Sequence, residues 1–191
     1  MTPRGLSAPT PEEHAHDFLW RIHKHTPALG EFSIFNRSHY EDVLVARVRK
    51  LVPKAVWKAR YQHIRDFELM LAEHGTIILK YFLHITKKEQ EERLLEREKD
   101  PKAAWKLNPH DWEERKYWND YTDAYEDAIS QTSAKHAAWT VVPANAKWYR
   151  NLVVAESIVE ALRHYRKDWE EKVSEMGKEA KAGLAKVRRR R

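Results

Sequence analysis

Amide, guanidinium and carboxylate groups crowd into one short segment, Phe35-Asn36-Arg37-Ser38-His39-Tyr40-Glu41-Asp42. An apolar run precedes it and a helix-start pattern closes it. In open α/β sheets, ligands bind outside the C-terminal ends of strands. A helix N-terminus at the same place offers free N–H groups to an anion. There Arg37 could grip a phosphate through a bidentate fork. Asp42 and Glu41 could hold Mg²⁺ through hard carboxylate oxygens. A simpler reading competes with this. Ser38 to Glu41 has the form of a capping box with Glu41 as its third residue, and acids favour the first helical turn in any case.

Two further groups have spacing that could do chemistry. Gln90, Arg93 and Arg97 fall on one helix face, where paired arginines could clamp a phosphate chain as a lid. Glu89 lies four positions before Arg93, so an ordinary ion pair explains part of that pattern. His14, Asp17, Arg21 and Lys24 lie opposite an apolar stripe of Ala15, Phe18, Leu19 and Ile22, as a solvated helix face would.

Other chemistries are argued against. The 11 histidines form no His-Glu-x-x-His motif, and with no cysteine there is no thiolate to complete a zinc site, no disulfide and no cysteine nucleophile. No glycine-flanked serine elbow of a hydrolase occurs. The five glycines (Gly5, Gly30, Gly75, Gly177, Gly183) never make G-x-x-x-x-G-K-[ST], the loop that cradles phosphates between a strand and a helix. The eight tryptophans read as packing residues.

The net charge of +6 favours a polyanionic partner, but Arg188, Arg189, Arg190 and Arg191 supply four of those charges. Nucleic-acid binding is therefore expected only through that tail, if at all. No apolar run reaches the ~20 residues that span a bilayer, and the N-terminus lacks the apolar core of a signal peptide. A cytoplasmic protein with no membrane partner is the expectation.

These residues need elements to hold them. Three apolar, β-branched runs read as strands: Glu31 to Phe35, Thr76 to Ile85 and Ala138 to Val142. Each is continuous rather than alternating, as in strands buried on both faces. Helical stretches between them predict an α/β fold with parallel pairing. Helices open at the capping box Thr10-Pro11-Glu12-Glu13, at Ser38 with Leu44, Val48 and Leu51 on one side, and at Thr86. Another opens at Asn108-Pro109 and carries Trp118, Tyr121, Tyr125 and Ala128. A further helix spans about Lys147 to Arg166, and residues 167–191 form a charged, basic tail, either a solvated helix or disordered.

Several runs resemble the type 2 polyphosphate kinases. They include Ala8 to Glu13 with His16 to His23, Phe35 to Leu44, and Glu89 to Arg97 followed by Asp100-Pro101 and Trp105-Lys106-Leu107. The pattern continues in Tyr125 to Ala128, Trp139 to Ala144 and Lys147 to Arg150. The likeness covers residues 8–163 in order, so residues 8–166 form the expected phosphotransferase domain. It implies a P-loop-kinase-like parallel sheet flanked by helices, with a helical lid. It implies Mg²⁺-dependent phosphoryl transfer between inorganic polyphosphate and nucleoside mono- or diphosphates, in a homo-oligomer. By the same likeness Asn36 and Arg37 sit at a Walker B-like strand end. Glu41 and Asp42 are catalytic and metal-binding, Asp17 is an acidic residue near the site, and Arg93 and Arg97 are lid arginines. Asn36, where other members have aspartate, resembles forms acting on adenine nucleotides including AMP, with guanine nucleotides as a second choice. Such kinases carry a strand, a glycine-rich loop and its helix upstream of the matching part. Their absence from these 191 residues predicts weak transfer and unpaired strand edges. The rival expectation is a catalytically inactive subunit that binds polyphosphate or nucleotide, or pairs with a complete homologue.

Overall fold

The computed structural model describes residues 3–5, 9–102, 105 and 107–188; Ala8, Lys106 and Arg189, Arg190 and Arg191, named above, lie outside them. The chain divides into two compact units, Met1–Val141 and Val142–Arg191. The first begins with β1 (Pro3–Gly5), α1 (Pro11–His14), α2 (Trp20–His23), β2 (Ile34–Asn36), α3 (Glu41–Val48) and α4 (Lys54–Glu73). It continues through β3 (Lys80–His84), α5 (Lys87–Lys99), α6 (Pro109–Glu114), a 3₁₀ turn (Arg115–Tyr117), α7 (Trp118–Thr132) and the start of β4 (Trp139–Pro143). α8 (Lys147–Arg163) and α9 (Arg166–Arg188) belong to the second unit.

The architecture is α/β. β1 and β2 run parallel, with Pro3, Arg4 and Gly5 opposite Ile34, Phe35 and Asn36. β3 and β4 form a second two-stranded sheet. β1 was not expected as a strand, because residues 3–5 contain no apolar run; its pairing with β2 is what makes it one. β2 and β3 are also shorter than the runs that announced them, β4 is shifted by one residue, and all three are less buried. Ile34 is 36% exposed, Leu83 46% and Val141 53%, so the expected burial on both faces does not hold. Among the described residues each sheet has two strands, which leaves flanks that a wider sheet would cover.

The core of the first unit is made by helices. Tyr40, Val43, Leu44 and Val48, on α3 and the residue before it, pack with Trp57, Tyr61 and Ile64 of α4 and with Ala124 and Ala128 of α7. The α4 residues recur three and four apart, which places them on one face of a helix. The two alanines of α7 let its backbone come close to α3. α4 has no side-chain cap and follows Pro53, so no start signal marked it in the sequence.

Three helices depart from expectation for local reasons. The first breaks after a single turn. Its capping box forms, with the Glu13 N–H on Thr10 Oγ1 at 3.2 Å and the Thr10 N–H on Glu13 Oε2 at 2.8 Å. Asp17 Oδ1 then accepts the N–H groups of Leu19 (2.9 Å) and Trp20 (3.1 Å), a local bond that competes with helix continuation. The helix expected from Asn108 through Ala128 is interrupted by the 3₁₀ turn into α6 and α7. α3 stops before Leu51. Lys50 takes a left-handed φ of 54°, the Leu51 N–H returns to the Ala46 carbonyl at 2.9 Å, and Leu51 is 66% exposed rather than on the buried stripe.

In the second unit, α8 ends at Arg163 and α9 is a helix without a buried residue, which settles the tail between residues 166 and 188 as helical. No helix among the described residues is long and apolar enough to cross a membrane.

Candidate functional site

The site is built where β2 stops. Arg37 follows it with φ 67°, in the left-handed region that a non-glycine residue rarely occupies. Such conformations cost about 1–3 kcal/mol and persist where the surroundings impose them, often at ligand sites. The turn ends the strand and directs the chain into α3. The Glu41 N–H reaches the Ser38 carbonyl at 3.1 Å and the Asp42 N–H reaches the His39 carbonyl at 3.2 Å.

This turn shifts the helix start, and the capping-box reading of Ser38 to Glu41 fails with it. Tyr40 is the N-cap and gives no side-chain cap, so Glu41 is the first helical residue and not the third. Ser38 Oγ accepts the Tyr40 N–H instead, at 3.4 Å. Glu41 is thereby released from a capping duty.

Both carboxylates are half-buried. Burial raises the Glu41 carboxyl above its usual range; the Arg37 guanidinium opposes this and the Asp42 charge adds to it. Burial likewise raises Asp42, against the charges of Arg60 and Arg21 and more weakly of His39 and His14. Adjacent helix positions point about 100° apart, so the two carboxylates meet different neighbours. Glu41 acts on the α7 tyrosines: Tyr125, pushed to about 12 mainly by burial, also feels the Glu41 charge. Asp42 meets α4, where Arg60 donates to the Asp42 carbonyl at 2.8 Å and stands 3.5 Å from Oδ1.

Mg²⁺ suits this donor set. It takes one or two carboxylate oxygens and keeps water and substrate phosphate for its remaining positions. Carboxyls raised by burial are groups whose ionised form a nearby cation would favour. No cluster of three or more His, Asp or Glu side chains able to hold a metal occurs among the described residues, so phosphate and water would have to fill most of the shell.

The other sequence-derived residues are placed as follows. Asn36 is exposed at the end of β2, opposite Gly5, and Arg37 beside it is exposed as well. Asp17 holds the turn before α2. Arg93 pairs with Glu89 (Nε to Oε1 2.7 Å), as the spacing suggested, and Arg97 with Asp111 at 3.5 Å. Gln90 accepts from Arg115 at 3.0 Å, and the same arginine donates to the Lys87 carbonyl and to Glu91, so α5 is braced by the segment following it.

Sequence reasoning misplaced one group and missed three. Arg21 is 6% exposed, not on a solvated face, and its charge reaches both Glu41 and Asp42. Arg60 holds the Asp42 backbone. Glu68 and Lys80 form a buried ion pair at 2.7 Å beside Tyr40. The only sequence signal for this pair was a single charge inside each of two apolar runs, Phe67 to Leu71 and Ile77 to Phe82.

The Polyphosphate kinase 2 family pattern matches residues 3–170. The chain belongs to the Polyphosphate kinase 2 family. An AMP/ADP-polyphosphate phosphotransferase of Meiothermus ruber is 56% identical over 158 residues, which are 83% of this chain and 59% of that protein. A polyphosphate:AMP phosphotransferase of Pseudomonas aeruginosa is 42% identical over 85% of this chain and 33% of its own length. The crystal structure of Polyphosphate Kinase 2 from Arthrobacter aurescens TC1 superposes with a TM-score of 0.83 at 48% identity, covering 85% of this chain and 57% of that one. The chain thus spans a little over half of two of these Polyphosphate kinase 2 relatives and a third of the other.

Proposed function

We propose that the β2–α3 turn is the acidic half of a phosphoryl-transfer site acting between inorganic polyphosphate and nucleoside mono- or diphosphates, with adenine nucleotides as acceptors. The observation that carries this reading is the left-handed Arg37, exposed at a strand end four residues before the first of two half-buried carboxylates that burial raises despite nearby arginines. The names of the Meiothermus ruber and Pseudomonas aeruginosa relatives support the substrate class.

Transfer of a phosphoryl group depends on positioning and on charge stabilisation rather than on covalent chemistry by the protein. Arg37 offers a fork to a phosphate beside the first turn of α3, with Asn36 as a neutral hydrogen-bonding neighbour. Asp42, its backbone fixed by Arg60, is the metal-holding carboxylate, and Glu41 supports it from the adjacent position. Bound Mg²⁺ would supply positive charge against the transferring group. Arg93 and Arg97 are the second phosphate-binding group, reached when α5 closes over the chain of phosphates, and Asp17 is an acidic neighbour. A cytoplasmic homo-oligomer, with residues 8–166 as the transferase domain and 167–191 as a basic extension, completes the reading.

These 191 residues contain no glycine-rich phosphate loop, and by themselves they are expected to transfer poorly. The exposed Arg37 would serve equally in a second reading, a subunit that binds polyphosphate or nucleotide without turning it over. A luminescent ATP assay with long-chain polyphosphate, Mg²⁺ and AMP or ADP separates them. The first reading predicts trace ATP from the chain alone. It predicts robust ATP from a fusion to the part of the Meiothermus ruber relative that precedes the match. A folded fusion that still binds polyphosphate but makes no ATP selects the second reading.

Arg37 allows function and stability to be separated. Arg37→Gly removes the fork and relieves the left-handed strain. The thermal midpoint is expected to stay or rise, while polyphosphate affinity measured by calorimetry falls about tenfold, the loss of one charge-assisted pair. A lowered midpoint with unchanged affinity would place Arg37 in the scaffold and not in the site.

A further inference from the structure

Three elements converge on one hydroxyl that the proposed reaction does not use. Tyr40 is 4% exposed, and its OH is the only polar atom on that ring. Lys80 Nζ, from β3, donates to it at 2.8 Å. The hydroxyl donates to Glu68 Oε1, from α4, at 2.9 Å, and stands 2.9 Å from Thr132 Oγ1 at the end of α7. Lys80 also reaches Glu68 Oε2 at 2.7 Å and the Thr132 carbonyl at 3.0 Å. Thr132 Oγ1 donates to the Ala128 carbonyl at 2.6 Å and accepts from Trp139 Nε1 at 2.9 Å. The Trp139 ring meets the Tyr40 ring edge-on at 4.7 Å. His39, the preceding residue, has Nε2 3.4 Å from Glu68 Oε1.

Tyr40 is also the N-cap of α3, and it provides no side-chain cap to that helix. Its side chain is therefore anchored away from the helix it starts, and the next two residues are Glu41 and Asp42. Backbone atoms of Tyr40 hold the same helix, since its carbonyl accepts from Val43 at 3.0 Å and from Leu44 at 2.9 Å. One residue thus ties the first turn of α3 to β3, α4 and α7 at once.

We propose that Tyr40 is a positioning residue for the two carboxylates, held by the buried Lys80–Glu68 pair and Thr132, so that its hydroxyl fixes the orientation in which α3 presents Glu41 and Asp42. The proposal rests on the functional reading only in assigning those carboxylates to transfer; the clamp itself is geometric. Removing the hydroxyl keeps the apolar ring in the core and frees the first turn of α3 to shift.

Tyr40→Phe tests this in the full chain and in the fusion described above. Amide hydrogen exchange across residues 41–46 is expected to accelerate at least tenfold, with α4 and α7 within twofold of the unaltered protein. Unchanged exchange in that segment, or acceleration spread evenly over the unit, overturns the clamp. In the fusion, kcat is expected to fall about tenfold or more with KM for polyphosphate unchanged, as for a loss confined to the transition state. Val56→Ala, at an exposed position three turns before Glu68 on α4, should leave both constants unaltered. Equal kcat in Tyr40→Phe and the unaltered fusion overturns the positioning role. A fusion without any transfer counts against the functional reading, and the exchange result then still decides the clamp.

Discussion

Asp42→Asn in a loop-bearing fusion is expected to lower polyphosphate-dependent ATP formation by roughly 10²–10³-fold, the usual loss on removing one preorganised electrostatic group. The substitution preserves shape, and the amide oxygen can still face Arg60. What disappears is the charge that would hold Mg²⁺. The same change should not weaken the fold. Burial holds the folded Asp42 carboxyl above its usual range in spite of Arg60 and Arg21. A carboxyl whose folded value exceeds its unfolded one carries a penalty at every pH above the folded value, and none below the unfolded value near ~4. At pH 7 to 8 Asp42→Asn should therefore melt at the same temperature or higher, and the difference should vanish as the pH falls below the unfolded carboxyl range. Lost activity with a raised midpoint is the signature of a group kept for chemistry at a cost to stability. Unchanged turnover would remove Asp42 from the mechanism.

Breaking the Glu68–Lys80 pair should have the largest effect on stability. Burial pushes Glu68 up, but the bonds from His39 and Lys80 outweigh this and hold it below the usual carboxylate range. Lys80 is pulled down by burial, which the Glu68 charge does not fully offset. The Glu68 carboxylate receives Lys80, Tyr40 and His39, which keeps it ionised in the core. Lys80→Met leaves that carboxylate without its cation, and Glu68→Gln leaves a buried ammonium short of its anion. Either should cost about 3–5 kcal/mol, as for other buried pairs with one partner removed. Against the ~5–15 kcal/mol of a whole domain, that is close to unfolding. Glu68→Gln with Lys80→Met removes both charges and should lose much less than the sum of the two single changes. Urea unfolding of the four proteins measures this. Single losses below about 1 kcal/mol would mean the pair is solvated and not a clamp. Because the folded Glu68 value lies below the unfolded one, its stabilisation is complete above the unfolded value. It should be lost as the pH falls through the folded value.

Signals confined to a few neighbouring residues were readable in the sequence. Thr10, Thr86 and Asn108 cap their helices as expected, because a side-chain oxygen finds N–H groups two or three residues on. Residues 36–42 were readable as a strand end meeting a helix start. Ser38 to Glu41 misled because its residue types satisfy a capping box. The left-handed Arg37 turn moves the helix start past Ser38, and nothing in an arginine announces a positive φ. The supports of the site were not readable. Arg60 and Glu68 come from α4, Lys80 from β3 and Thr132 from α7, and only the tertiary fold brings them to Tyr40 and Asp42. Arg21 sat at a position that helical spacing assigns to a solvated face, but the helix had already broken at Asp17. β1 was missed because three residues with Pro and Gly carry no strand pattern at all.

The central claim is that the β2–α3 turn holds phosphate together with Mg²⁺ through Arg37 and Asp42. It is tested most directly by titrating this chain and its Asp42→Asn variant with polyphosphate in a calorimeter, with and without Mg²⁺. The account predicts that Mg²⁺ tightens binding to the unaltered chain at least tenfold and that the variant loses this gain while keeping its metal-free affinity. Equal dependence on Mg²⁺ in the two proteins would contradict it.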